Sequence, residues 1–521
     1  MSKEGEEKAM NSSALYKHKV NNGEKLFYLI YSAVLVLFCY GFSPLIQFYS
    51  TDSAVFYSIG KAMDKGMVVY KDFFDHKGMW IYFFNCFGAY LNQFFPGLGM
   101  YLVELLFSFI NLVAIDRLMA QFTKSSIPRR ISACLFFALS LNYFSYSGGN
   151  LTETYALSFQ LISCYYICKY YLSGQIEHPA GYMFIHGLAS GICFLLRPNL
   201  VAMWIPFGVA LAFRLFLHRK TACFFKNFAA LILGVALAFT PPLIYCVVND
   251  CLQEMVFCTF TFNLSYVNSR GSMQNLLRVI FLSGNSIVTY LSLLGVMIAL
   301  RSKRVSRELK TLFSFAFLFV TTVTFMGLRA YGHYFQTLLP FTIPLFVWSS
   351  EKLEDFTNHK APSKVVICLA VLFCTAATLV GNLRLAIRYL PVDTEYKHLY
   401  GILKQTSHYI DSDPEKDSFL STMNLMQAYV VTDTIPSIRY PYIPGVEYER
   451  FPDPIDQMCN EIMSGNHKYI FGCDYIDGEW LIFNNYIRGY RGEINRYIRE
   501  YYRVAFLDET YHYVLFEKKE M

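Results

Sequence analysis

About eleven apolar stretches, each of roughly the 17 to 25 residues needed to cross a hydrocarbon layer, follow one another between residues 26 and 383. No other feature limits the fold so strongly. They begin near Leu26, Gly99, Arg130, Glu153, Gly181, Asn199, Asn227, Asn275, Lys310, His333 and Lys364. With 54% hydrophobic and 18% aromatic residues and a mean hydropathy of +0.31, the chain has more apolar surface than a water-soluble core could hide, so lipid must serve as its solvent. The expected fold class is mainly α: a polytopic membrane protein. Its net charge of +6 lies in short clusters between the apolar runs rather than along one face, which argues against nucleic-acid binding. The 14 cysteines lie mostly within apolar runs and lack zinc-type pairing, so they read as small core residues.

A twelfth stretch, Met79 to Phe95, is shorter, is interrupted by Asn85, Gly88 and Asn92, and ends at Pro96-Gly97. Charge decides its status, because basic residues collect on the cytoplasmic side. If this stretch does not span, Arg129-Arg130, Arg214 with Arg219-Lys220 and Lys226, and the Arg301 to Lys310 cluster all fall inside. The expected organisation is then a cytoplasmic tail (1–25), a transmembrane domain (26–383) with interfacial helices in a first outer loop (49–98), and an extracytoplasmic C-terminal domain (384–521). From about Arg384 the sequence becomes charged and Tyr-rich. Strand-like runs at Phe419 to Ser421, Lys468 to Gly472 and Tyr511 to Glu517 and a helical pattern at Asn424 to Val431 predict a small α/β domain.

The outer loops hold the candidate chemistry. Val55, Phe56, Ile59 and Met63 share one helical face, with Asp52 at an N-cap position and Gly66 at the stop. Asp52 has two readings: a simple cap, or a carboxylate at the bilayer surface able to take a proton from an acceptor hydroxyl. Asp72, Asp75, His76 and Lys77 then place two carboxylates, an imidazole and an ammonium within six residues. Asp75 and His76 are candidate ligands for a divalent metal, and Lys77 suits a lipid phosphate or ordinary snorkelling. Glu153 enters an apolar helix, which is costly unless it is paired or faces water. Arg197, Arg329 and His333 are cationic or titratable groups on a side where positive charge is sparse, suited to interfacial anchoring or to holding phosphate.

The aspartate beyond the first apolar run, the run Tyr70-Lys71-Asp72-Phe73-Phe74-Asp75-His76-Lys77-Gly78, and the late Arg329-x-Tyr-Gly-His333-Tyr334 preceding Pro340 together resemble the GT-C glycosyltransferases. The similarity is to the bacterial branch with protein O-mannosyltransferase-like, aminoarabinose transferase-like and rhizobial galacturonosyltransferase-like members. That resemblance implies a polyprenyl-phosphate-linked sugar as donor, a cell-envelope acceptor, and a location in the bacterial inner or plasma membrane with the N-terminus cytoplasmic. It implies Asp52 and Glu153 as catalytic acidic positions and Lys77 as a candidate for donor phosphate, which Arg197, Arg329 and His333 could help hold by their charge. His76-Lys77 falls where aminoarabinose transferases carry Glu-Lys, so metal binding by Asp75 and His76 is an open expectation. A transporter or lipid flippase is the competing class; it would more often place charges at mid-helix and lack a large outer domain.

Overall fold

The first apolar run starts on a reciprocal cap. The Asn21 amide donates to Glu24 Oε2 at 2.9 Å, and the Glu24 amide donates to Asn21 Oδ1 at 2.9 Å. This satisfies two of the donors that a helix start leaves open, and the helix runs Asn22–Cys39. The computed structural model describes residues 20–520 apart from 48, 268–272, 304, 330, 360–371, 373–374, 377, 381–394, 423, 445–447 and 482–489. Most of the eleventh predicted run, from Lys364, lies outside the described residues, as do Arg270 and Arg304.

The other ten predicted runs each form helix. They are Asn22–Cys39, Gly99–Met119, Ser126–Ser140, Thr152–Ser173, Ala180–Phe194, Pro198–Leu217, Thr221–Val248, the pair Met273–Asn285 and Ile287–Arg301, Arg307–Phe325, and a 3-10 stretch Gly332–Thr342 continuing as Ile343–His359. Among the described residues four helices are both long and apolar enough to cross a membrane. The pair bent by 73° at Ser286 is a fifth if it is one span. The protein is thus a mainly helical, multi-pass membrane protein with a small C-terminal sheet.

By contacts the chain divides into two compact units. The first comprises Met1–Cys39, Glu104–Pro242 and Gly271–Asn382, and is a helical bundle. Lipid gives helices little hydrophobic reason to associate, so close backbone approach matters more. Gly187 and Gly191, four residues apart, face Gly234 and Ala238 of the Thr221–Val248 helix. A Cβ on Gly187 would come within 2.2 Å of the Leu231 carbonyl oxygen, and one on Gly234 within 2.2 Å of that of Phe184. At one end of the bundle Arg129 donates to Asp116 at 2.7 Å and Arg130 to Glu24 at 2.5 Å. Arg129, Asp116 and Glu24 are buried, so this network ties three helices together through compensated charge.

The second unit comprises Tyr40–Val103, Leu243–Arg270 and Leu383–Met521. Its two helices between the first two apolar runs, Thr51–Asp64 and Met79–Asn92, have 14 residues each. At about 21 Å each, both are shorter than a hydrocarbon layer of about 30 Å. The C-terminal residues build a four-stranded sheet ordered β1-β2-β6-β5, where β1 is Phe419–Ser421, β2 Tyr469–Gly472, β5 Tyr502–Asp508 and β6 Tyr513–Lys518. β1 and β2 are parallel, and the other pairings antiparallel. The two-residue strands β3 (Tyr475–Ile476) and β4 (Glu479–Trp480) form a separate ladder. Trp480, Phe516, Ile470, Ile494 and Met458 share the buried core beneath the sheet.

The C-terminal residues pack onto the segment between the first two apolar runs. Lys61 pairs with Asp433, the Phe74 amide donates to the Arg439 carbonyl at 2.7 Å, and the Tyr49 amide donates to the Tyr400 hydroxyl at 2.7 Å.

Candidate active site

The polar residues read from the sequence fall into two groups, one in each unit. In the second unit the N-cap of the Thr51–Asp64 helix is Ser50, whose hydroxyl accepts from the Ser53 amide. Asp52 therefore sits in the first helical turn, half-buried, where a carboxylate gains from the helix dipole and capping does not depend on it. Gly66, with φ +90°, ends the helix as its position predicted.

Residues 67–78 form a tight loop whose two aspartates have different roles. Asp72 Oδ2 accepts from the Val68 amide at 2.6 Å, and the Asp72 amide donates to the Val68 carbonyl at 2.8 Å, so this side chain folds the loop itself. Asp75 is buried. Its Oδ1 accepts from the His76 amide and the Tyr442 hydroxyl, each at 2.6 Å, and its Oδ2 from the Tyr82 hydroxyl at 2.6 Å. Among the described residues no lysine or arginine lies within ion-pair range of Asp75; the His76 ring is nearest, with Nδ1 3.4 Å away.

His76 and Lys77 are half-buried at the loop's end. Lys77 Nζ lies 2.8 Å from His76 Nε2, so with an ammonium donor the ring accepts through Nε2 and keeps its proton on Nδ1, toward Asp75. The backbone is fixed as well: Tyr70 donates to the Lys77 carbonyl and Asn263 to the His76 carbonyl, both at 2.7 Å. Among the described residues there is no group of three or more His, Cys, Asp or Glu side chains of the kind that would hold a metal ion, and a metal at Asp75 would have to displace two tyrosine hydroxyls.

In the first unit Glu153 lies in the opening turn of the Thr152–Ser173 helix and is buried. Arg197 Nη1 donates to its Oε1 at 2.6 Å and Thr152 Oγ1 to its Oε2 at 2.8 Å. The Arg197 guanidinium also lies 4.0 Å from the centre of the Tyr334 ring, a favourable cation–π position. His333, next to Tyr334 and stacked on Tyr331, is close enough to Glu153 to act on it electrostatically. Arg329 is half-buried in the turn before the Gly332–Thr342 stretch.

The segment that delivers Glu153 is strained. Ser147, Gly148, Gly149 and Asn150 have φ values of 49°, 81°, 73° and 54°, a left-handed run that costs about 1–2 kcal/mol at each non-glycine residue. It is held from both sides. Tyr155 donates to Asn150 Oδ1 at 2.9 Å, and Tyr146, just before the run, donates to Glu104 Oε1 at 2.9 Å. Glu104 is buried, and its Oε2 has no hydrogen-bond partner among the described residues. Sequence reasoning passed over it, although a carboxylate inside the Gly99–Met119 apolar run was the available signal.

The sequence family described as "Putative competence-induced protein Ccs4 N-terminal domain" matches residues 13–364. No curated protein matches the chain. Among solved structures, ArnT from Cupriavidus metallidurans bound to undecaprenyl phosphate aligns with 95% of this chain and 98% of its own, at TM-score 0.61 and 12% identity. Its apo form aligns over the same shares at TM-score 0.57 and 12% identity. The Archaeoglobus fulgidus oligosaccharyltransferase tethered to an acceptor peptide aligns over 96% of this chain and 74% of its own, at TM-score 0.47 and 11% identity.

Proposed function

Given that the chain belongs to the competence-induced protein Ccs4 N-terminal domain family and has the GT-C fold over nearly its whole length, we propose that it is a membrane glycosyltransferase. It moves a sugar from a polyprenyl-phosphate carrier to a hydroxyl on a cell-envelope acceptor. The ArnT structure that it resembles holds undecaprenyl phosphate, which supports a donor of this class. The observation that carries the reading is the Lys77 ammonium, half-buried and oriented by the His76 ring at 2.8 Å.

In this reading Asp52 takes the proton of the acceptor hydroxyl as its oxygen attacks the anomeric carbon. The bond from that carbon to phosphate breaks, and the lipid phosphate leaves with the electron pair. Lys77 holds the charge that builds on the phosphate oxygens. Arg197 acts through Glu153, since its charge is tied to that carboxylate, and the pair holds the first-unit segment in place. The product is inverted at the anomeric carbon, by analogy with the two-sided logic of inverting glycosidases. The outer loops and the C-terminal domain face away from the cytoplasm.

Membranes containing the protein, offered a panel of radiolabelled polyprenyl-phosphate sugars and envelope extract, test the reaction. Asp52→Asn should retain donor binding and lose about 10² to 10⁴-fold in turnover, whereas Lys77→Ala should mainly weaken donor affinity. The reverse pattern rejects these roles. Transfer that continues unchanged in EDTA is expected, because Asp75 is already engaged by tyrosine hydroxyls; a loss restored by a divalent ion would instead assign Asp75 and His76 to a metal.

A further inference from the structure

The helical unit contains a cavity that the proposed chemistry does not use. It has a volume of about 540 Å³ and is lined deep inside by Ile167, Phe207, Leu312, Phe313 and Ala316, with Trp348 on its wall. Its rim carries Arg301, Lys303 and Lys352 against Glu351, with Asp355 outside the lining 3.8 Å from the Lys352 ammonium. The three cations are exposed, and Glu351 is half-buried. An apolar interior beneath a cationic rim matches an amphiphile with an anionic head.

The lining segments agree on where this cavity lies. They come from the end of the Gly99–Met119 helix, the second half of Thr152–Ser173, the turn after Ile287–Arg301, the first half of Arg307–Phe325 and the Ile343–His359 helix, with Met203 and Phe207 of Pro198–Leu217 and Pro340 and Phe341 of the 3-10 stretch. In the alternation set by the basic loops these are mostly cytoplasmic ends. A basic turn alone would be explained by its part in setting topology. The concave apolar space behind it is a separate observation, and topology does not require it.

We propose that this cavity is a binding site for an anionic phospholipid of the cytoplasmic leaflet, with the phosphate at Arg301, Lys303 and Lys352 and an acyl chain against Leu312, Phe313 and Ala316. The cytoplasmic leaflet is the one rich in anionic lipid, whereas the phosphate of the proposed sugar donor is handled on the opposite side. This placement rests on the orientation given under the proposed function, but lipid binding can be read without any transfer reaction.

Trp348 supplies the probe. The full-length protein in vesicles of brominated phosphatidylglycerol, compared with brominated phosphatidylcholine, should show stronger quenching of tryptophan emission by the anionic lipid. Trp348→Phe should remove that difference. Arg301→Gln, Lys303→Gln and Lys352→Gln should each lower the relative affinity for the anionic lipid about fivefold. Ala316→Trp, which fills the cavity and keeps the rim, should also abolish the preference. Equal quenching by the two lipids overturns the proposal, as does a preference that survives the three glutamine substitutions. Relief by polyprenyl phosphate at concentrations where unbrominated phosphatidylglycerol has no effect also overturns it, making the site one for isoprenoid. Transfer activity in the Gln variants is a separate reading: its loss in Asp52→Asn with lipid preference intact separates the two proposals.

Discussion

Glu153 and Asp75 are both buried carboxylates near ends of apolar helices, yet the protein accommodates them by different means. Glu153 is neutralised by a full charge, the Arg197 guanidinium at 2.6 Å, within a bundle of helices joined by short connections. Among the described residues no lysine or arginine pairs with Asp75, and the His76 ring is 3.4 Å away. Two tyrosine hydroxyls and one amide surround the carboxylate, and one of those hydroxyls, on Tyr442, is 367 residues away in sequence. A counter-charge makes the first site a matter of pairing. Neutral donors make the second a matter of assembly, since each donor comes from a different part of the chain and removing one leaves the carboxylate short of a hydrogen bond.

The comparison is broken most severely by Arg197→Leu. It leaves Glu153 buried without its cation and should cost about 3–5 kcal/mol, read as a fall in thermal unfolding temperature of the purified protein in detergent. Adding Glu153→Leu should recover most of that loss; a double variant as unstable as the single one would show that Arg197 matters for its stacking on Tyr334 instead. Tyr442→Phe removes one charge-assisted hydrogen bond from Asp75 and should cost about 1.5–3 kcal/mol. Equal losses for Tyr442→Phe and Tyr82→Phe would sharpen the contrast by showing that the distant and the local hydroxyl count alike.

The smallest effect concerns a carboxylate that combines both modes. Hydrogen bonds from Lys468 at 2.7 Å and from Tyr469, with the Glu415 amide, hold the Asp413 carboxyl down to about 2. A carboxyl lowered in the folded state stabilises it above the ordinary range near 4, and that contribution is lost as pH falls through about 2. Asp413→Asn should therefore flatten the acid limb of unfolding monitored by Trp480 fluorescence.

Much of the fold was legible because membrane helices announce themselves locally. Ten apolar runs became helices, and β1, β2 and β6 fell on the predicted strand-like stretches. β5 escaped because Arg503, Val504 and Leu507 are exposed and the strand lacks a continuous apolar signature. The candidate residues were legible one by one, but their partners were not. Nothing in the run Lys71 to Lys77 says that Asp72 closes the loop while Asp75 is buried, because that depends on Tyr82 and Tyr442. The cap at Ser50 rather than Asp52 is a shift of two positions, within the usual uncertainty of helix starts. Glu153 and Arg197 were both singled out, but their pairing depends on how two helices pack.

The hydrogen bond between Tyr442 and Asp75 also sets a clock. At about 5–20 residues per second, the 367 residues between them take roughly 20 to 70 seconds to synthesise. During that time the loop around Asp75 is already made but lacks one of the hydroxyls that hold its carboxylate. The loop can reach its final form only after Tyr442 has been made, so a nascent chain that stops short of Tyr442 lacks the finished arrangement.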